Sequence, residues 1–277
     1  MRVGVYIDGF NLYYGGAALA GPKAQGWKWL DMRGCFEAIA RTHWPDLSHV
    51  VPVVYCTARI SSRLDQDGYR RQETYLRALA RSGSADHIEY GKFFDKVKTR
   101  PLATKDRKGR PVLVGPRFPV LIQSGDGGHI DDAVFMVSVA DREEKGSDVN
   151  VACHLLLDTL QERIDAAVVV SNDSDLALAV QHARERIPVG VVNPTRRQTA
   201  GSLRTRPDGC VEGQWEASLT VAEMNAHQLP DPCQSVARPV SGDSEAAHLV
   251  NPPMVVRCRA IVSPYSPRPI VAGVLFV

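Results

Sequence analysis

Ala166-Ala167-Val168-Val169-Val170-Ser171-Asn172-Asp173-Ser174-Asp175 is the stretch on which the fold turns. Its first five residues form a short unbroken apolar run, the signature of a strand buried on both faces of a parallel sheet. The spacing Leu176, Ala179, Val180, Ala183 predicts a helix immediately afterwards. Two carboxylates therefore stand where a buried strand hands over to a helix, the edge at which open α/β sheets bind ligands. The alternative is capping: Asp173 or Ser174 closes the helix N-terminus, and Asp175 sits in a first turn that favours negative charge.

The beginning of the chain repeats the arrangement. Arg2 to Ile7 is strand-like, with Val3, Val5 and Ile7 alternating, and Asp8-Gly9-Phe10-Asn11 follows at once as the turn leaving it. If both strands are parallel and central, Asp8, Asp173 and Asp175 reach one crevice. Between them the pattern predicts a loop over 15–26, a helix over 30–44 and a Val-rich strand over 49–57. A basic amphipathic helix over 67–81, with Tyr75, Leu76 and Leu79 on its apolar side, and a strand over 88–94 come next. The alternation of strands and helices argues a parallel sheet covered by helices.

From Lys92 to Arg117 the pattern breaks, with nine basic and two acidic residues and several prolines and glycines. We read 95–140 as a hairpin-like insertion, with short strands over 112–114, 120–123 and 133–139. Lys96, Lys98, Arg100, Lys105, Arg107, Lys108 and Arg110 are either a solvated loop or a surface for phosphate contacts. The next helix has Ser147 as its expected N-cap and Val151, Ala152, Leu155, Leu156, Thr159 and Leu160 as its apolar stripe. Asp148 falls on that stripe at its N-terminal end. A carboxylate there is either bound to a metal, or it caps the helix or is held in a salt bridge with Lys145 or an arginine. Val189–Val192 is one more buried strand. Arg196, Arg197, Arg204 and Arg206 follow in a polar irregular stretch, and 215–228 reads as a last helix. Eight prolines between Pro230 and Pro269 mark 231–277 as an irregular, poorly ordered tail, with an apolar run over 270–277 as a possible edge strand.

At 277 residues and 44% hydrophobic the chain can bury a sizeable core, and a net charge of +2 leaves partners to be argued from local clusters. Its cysteines form no C-x-x-C pair, which argues against zinc; Cys56 and Cys153 read as reduced core residues. No apolar run suits a signal peptide or a membrane span, so a soluble cytoplasmic protein with no membrane partner is expected. His154 and His182 read as structural or exposed.

Asp8, Asp148, Asp173 and Asp175 would repel one another if gathered without a cation. Oxygen ligands with no histidine or cysteine among them point to Mg2+ or Mn2+. Such an ion binds a phosphate oxygen and activates an attacking water. Asn11 would position substrate or that water through its amide.

The blocks Ile7-Asp8-Gly9-Phe10-Asn11, Glu144-Lys145-Gly146-Ser147-Asp148-Val149, Val170-Ser171-Asn172-Asp173-Ser174-Asp175 and Gly190-Val191-Val192-Asn193-Pro194 resemble the NYN domain family of the PIN-like nuclease superfamily. The resemblance covers roughly residues 1–230 and is densest over 144–194. Asn172 stands where the family has glycine, and the family's charged helical tail is replaced by the Pro-rich stretch. The resemblance implies a Rossmann-like (PIN-like), mostly parallel α/β sheet, a divalent-metal site and ribonuclease activity. It implies Asp8, Asp148, Asp173 and Asp175 as the acidic site, with Asn11 and Ser171 as supporting polar groups and Lys145 as the lysine before the helix. The expected function is a metal-dependent ribonuclease acting through an activated water. Substrate contacts are expected from Asn11, Lys145, Ser171, Lys105, Arg107, Lys108 and Arg110. The alternative is a non-catalytic RNA-binding or regulatory module on the same fold. A phosphatase with an aspartate nucleophile ranks last, because Asp8 lacks a second aspartate two residues on.

Overall fold

The computed structural model describes residues 1–21, 27–114, 128, 134 and 136–239, and the backbone of 257–259. The elements, in chain order, are β1 (Arg2–Asp8), α1 (Gly9–Ala20), α2 (Met32–His43), β2 (His49–Ala58), α3 (Gln66–Ser82) and β3 (His87–Pro101). Then come β4 (Ala103–Lys105), β5 (Pro111–Leu113), β6 (Met136–Lys145), α4 (Ser147–Leu160), β7 (Ala166–Val170), α5 (Ala177–Arg184) and β8 (Val189–Asn193). The described chain closes with α6 (Gly201–Arg204), β9 (Trp215–Ser218), α7 (Val221–Ala226) and β10 (Arg257–Arg259). Two compact units result: Met1–Phe93 with Glu144–Ala246, and Phe94–Glu143 with Ala247–Val277.

The first unit is built on strands in the order β3-β2-β1-β7-β8-β9, every neighbouring pair parallel. Alternation along each strand sends side chains to two separate cores. Val3, Val5 and Ile7 of β1 join Ala166, Val168 and Val170 of β7 beneath α1, α2 and α3. Tyr6, Ala167 and Val169 face α4, α5 and α6 with Val151, Leu155, Leu176 and Leu203. Helices thus cover both faces, which explains why the central strands are apolar without a break. The buried Tyr6 hydroxyl donates to Asp158 at 2.9 Å, and Arg163 donates to the same carboxylate at 3.1 Å. Arg184, fully buried, donates to the Leu203 and Thr205 carbonyls and ties α5 to the end of α6.

The chain leaves β1 toward β2 and β3 on one side and later returns to pair β7 on the other. The topological switch point therefore lies between β1 and β7. Register fixes what stands there: Ile7 lies opposite Val170 and Val170 opposite Val192. Asp8, Ser171 and Asn193 are consequently level at the C-terminal edge.

In the second unit β4 and β5 form an antiparallel hairpin, closed by Asp106 accepting from the Lys108 and Arg110 amides. β10 pairs antiparallel with β6. Lys98 forms ion pairs with Asp141 and Glu143, Lys96 with Glu143, Arg142 with Asp95 and Arg110 with Asp106.

Several sequence expectations need correction. Residues 15–20 are helix, not loop, because Gly15 and Gly16 serve close packing: a Cβ at Gly15 would lie 2.2 Å from the Pro194 carbonyl oxygen, and one at Gly16 2.7 Å from the Trp27 ring. Asp8 is the N-cap of α1, so Gly9 to Asn11 are its first turn. The N-cap of α4 is Gly146 in a left-handed conformation, with Ser147 the first helical residue. Cys153 is exposed, on the side of α4 away from Val151 and Leu155. The expected helix over 215–228 is strand β9 followed by α7; Trp215 covers Gly190 and stacks on His43 at 4.2 Å. Cys233 and Val236 are buried in the core, so ordered structure continues beyond residue 230. The strand expected over 133–139 is seen as β6. The strands expected over 120–123 and 270–277, and most of the tail beyond 239, lie outside the described residues. No described helix is long and apolar enough to cross a membrane.

Candidate acidic site at the sheet edge

Three strand ends and one helix build the site. Asp8 is 2% exposed, yet its carboxylate is fully engaged. Oδ1 accepts from the Asn11 amide at 3.0 Å, and Oδ2 accepts from the Ser171 hydroxyl at 2.8 Å. Burial raises its pKa, partly offset by these bonds, while Asp173 raises it further. Ser171 Oγ also accepts from the Asp173 amide at 3.0 Å, so one hydroxyl couples the ends of β1 and β7. Asp173 accepts from the Asp175 amide at 3.0 Å. The capping role considered for Asp173 is therefore real, and Asp8 performs the same service for α1.

Asp148 is half-buried, and no ion pair to it is seen among the described residues. Burial pushes its carboxyl up to about 7, and Asp8, Asp173, Glu144 and Asp175 push the same way. Four other carboxyls thus act on Asp148 at this edge. Glu144 was missing from the expected site residues. It accepts from the Ser147 hydroxyl at 2.7 Å and amide at 3.2 Å, steadying the turn that presents Asp148. Gly91 makes room for it, since a Cβ there would lie 1.9 Å from the Glu144 carboxylate.

Asn11 faces Asn172. Its side-chain oxygen accepts the Asn172 amide at 3.0 Å, leaving its NH2 group to donate elsewhere. Asn172 and Asn193 organise the loop after β8. Asn172 accepts from the Ala200 amide at 2.7 Å and donates to Thr195. Asn193, fully buried, accepts from the Thr195 amide at 2.8 Å and donates to the Arg197 carbonyl at 2.7 Å. Neither was expected as a site residue; the sequence signal was an amide ending each of two apolar runs. Lys145 is exposed at the end of β6. Lys105, Arg107, Lys108 and Arg110 are exposed on the hairpin of the second unit.

Among the described residues no group of three or more Asp, Glu, His or Cys side chains is arranged to hold a metal ion as it stands. The donor chemistry nevertheless fits a hard divalent cation: the groups are all oxygen, and no cation pairs with them among the described residues. Magnesium is commonly held by one or two carboxylates, with water and substrate phosphate completing its shell. Such an ion needs no closed protein cage.

No protein-family model matches this sequence. The chain is 28% identical over 250 residues to 6-hydroxy-3-succinoylpyridine 3-monooxygenase HspA of Pseudomonas putida, a match covering 83% of this chain and 70% of that protein. A solved structure of a protein of unknown function from Vibrio parahaemolyticus covers 79% of this chain and 93% of its own, at 15% identity and a TM-score of 0.41. Neither name speaks of a nuclease.

Proposed function

We propose that this protein is a metal-dependent ribonuclease of the NYN type within the PIN-like superfamily, hydrolysing RNA phosphodiesters at the edge shared by β1 and β7. The observation that carries the reading is position. Asp8 and Asp173 stand at the switch point of a parallel sheet, where such folds bind ligands, and Asp148 reaches the same edge from α4. Asp8, Asp148 and Asp173 would hold Mg2+ or Mn2+, with Asp175 completing the site directly or through water. The ion, when bound, would neutralise the phosphate and lower the pKa of an attacking water.

The remaining chemistry belongs to the chain. Ser171 and the Asn11 amide fix the orientation of Asp8 through the two bonds already described. Asn11, itself pinned by the Asn172 amide, turns its free NH2 toward a substrate oxygen. Pinning matters because a group held by its neighbours loses little freedom when substrate arrives. The test is cleavage of short labelled RNAs in magnesium, manganese or EDTA. Cleavage should require the metal, and Asp8→Asn or Asp173→Asn should abolish it, a loss of at least ~100-fold. Wild-type cleavage in EDTA, or full activity in both variants, would remove the mechanism. Binding without cleavage would leave the non-catalytic RNA-binding module.

A second reading rests on the similarity to HspA: oxygenation of a small heteroaromatic acid. Oxygen uptake on adding 6-hydroxy-3-succinoylpyridine and a two-electron reductant separates it from the first, since RNA hydrolysis consumes no oxygen.

A further inference from the structure

Beside the acidic edge, α1 carries a line of aromatic rings: Phe10 and Tyr13 are partly buried, Tyr13 against the core, and Tyr14 is exposed. Phe10 lies two residues beyond Asp8, and its backbone amide is turned to that carboxylate. Its ring meets Phe93 edge-to-face, with centroids 5.8 Å apart, and stacks with Tyr14 at 6.4 Å and 19°. Tyr14 meets Tyr13 edge-to-face at 5.5 Å. The Lys28 ammonium stands 5.6 Å from the Tyr13 centroid. Tyr14 is 42% exposed, which leaves its ring open to a stacking partner.

Two cations close the line. Arg71 acts electrostatically on both Tyr13 and Lys28. Burial lowers the Lys28 pKa and the neighbouring Arg71 lowers it further, so two like charges have been brought together at the end of a row of rings. Asp65 acts on Tyr13 in the opposite sense to Arg71, so the two cations are offset only in part, and an incoming anion would offset them further. Rings interleaved with cations make up the general platform for unpaired nucleic acid: bases stack on the π-faces, and phosphates meet the cations. A duplex cannot use it, because its bases are already stacked on one another.

We propose that the rings of Phe93, Phe10, Tyr14 and Tyr13, ending at Lys28 and Arg71, form a stacking track that delivers unpaired RNA to Asp8. The proposal rests on the ribonuclease reading for the direction of delivery, and it assigns the substrate class: single-stranded RNA with little preference among bases.

Binding measured in EDTA keeps the track separate from cleavage. The probes are a labelled oligouridine of about ten nucleotides and an RNA duplex of the same length. Tyr14→Leu should weaken single-strand binding on the order of tenfold, while Tyr14→Phe retains wild-type affinity. The salt dependence should be unchanged in both, since no charge is altered. Lys28→Ala with Arg71→Ala should instead flatten the plot of log affinity against log salt. Equal losses for single strand and duplex, or an unchanged affinity in Tyr14→Leu, would overturn the track even if the wild type cleaves RNA. Oligouridine binding that depends on Tyr14, with no cleavage in any metal, would sustain the track and sink the nuclease. Binding of 6-hydroxy-3-succinoylpyridine with none of oligouridine would overturn the track as a nucleic-acid surface.

Discussion

At Asp148 burial and charge act in the same direction. Its carboxyl titrates near 7 in the folded protein against 3.8 for the unperturbed group. Between those values the folded state keeps a proton that the unfolded state releases, so stability falls as pH rises through the window and levels off above it. Asp148→Asn should match the wild type near pH 4 and exceed it at pH 8. After allowance for solvent screening at a half-buried site, the gain in melting temperature should be about 2–4 °C. Thermal unfolding in EDTA at the two pH values measures it, and an equal effect at both would show that charge is not the cause. Magnesium should narrow the difference at pH 8, because Asp148→Asn removes one of the proposed ligands. Asp8 and Asp173 were legible in the sequence because each terminates an apolar run. Glu144 was not, because it sits in the charged run Arg142-Glu143-Glu144-Lys145, where nothing distinguishes a site acid from a solvated one.

Among the elements, α1 shows most clearly what a one-dimensional reading misses. Its glycines predicted a loop, since glycine weakens helices and marks turns. In the fold they let the helix approach Trp27 and the Pro194 carbonyl more closely than any side chain would permit. The same approach holds Asn11 against Asn172. Gly15→Ala should therefore destabilise the protein by about 1–3 kcal/mol in urea unfolding and lower activity by displacing Asn11. Gly201→Ala, where an added methyl meets nothing within 4 Å, is the control and should be neutral. The opposite error occurred at Trp215, where a mixed polar and apolar stretch suggested one helix. The short edge strand β9 is defined by its parallel partner β8, and such pairing leaves no local periodicity to read. Thr220 and Glu223 did carry a legible start signal, a reciprocal capping box. The central strands were readable because burial on both faces demands an unbroken apolar run.

For the molecule as a whole, the basic insertion is less positive than its composition. Lys96, Lys98, Arg100, Arg110 and Arg142 form ion pairs within the second unit, with Asp95, Asp106, Asp141 and Glu143 as partners. Lys105, Arg107 and Lys108 carry no ion pair among the described residues. On the proposed ribonuclease reading, these three are the charges among the described residues of the insertion that would meet a phosphate backbone. Replacing these three with alanine should weaken RNA binding and reduce the slope of log affinity against log salt by about 2, the value for three contacts to a single strand. The rate at saturating RNA should hold, since none of the three belongs to the acidic edge. An unchanged slope would return the hairpin to a solvated loop.

The bond between Ser171 and Asp8 joins residues 163 positions apart. During translation, β1 leaves the ribosome long before its partner β7. At roughly 5–20 residues per second, on the order of ten to thirty seconds separate them. Throughout that interval the nascent chain has β2 and β3 available on one side, while the other edge of β1, buried in the finished sheet, stays open. An unpaired edge of this kind is where chains stick to one another. Parallel strands joined across so long a separation also form slowly. The central position that makes Asp8 the hub of the finished edge thus leaves β1 with one unpaired edge in the half-made protein, and gives a ribosome-associated chaperone reason to hold it.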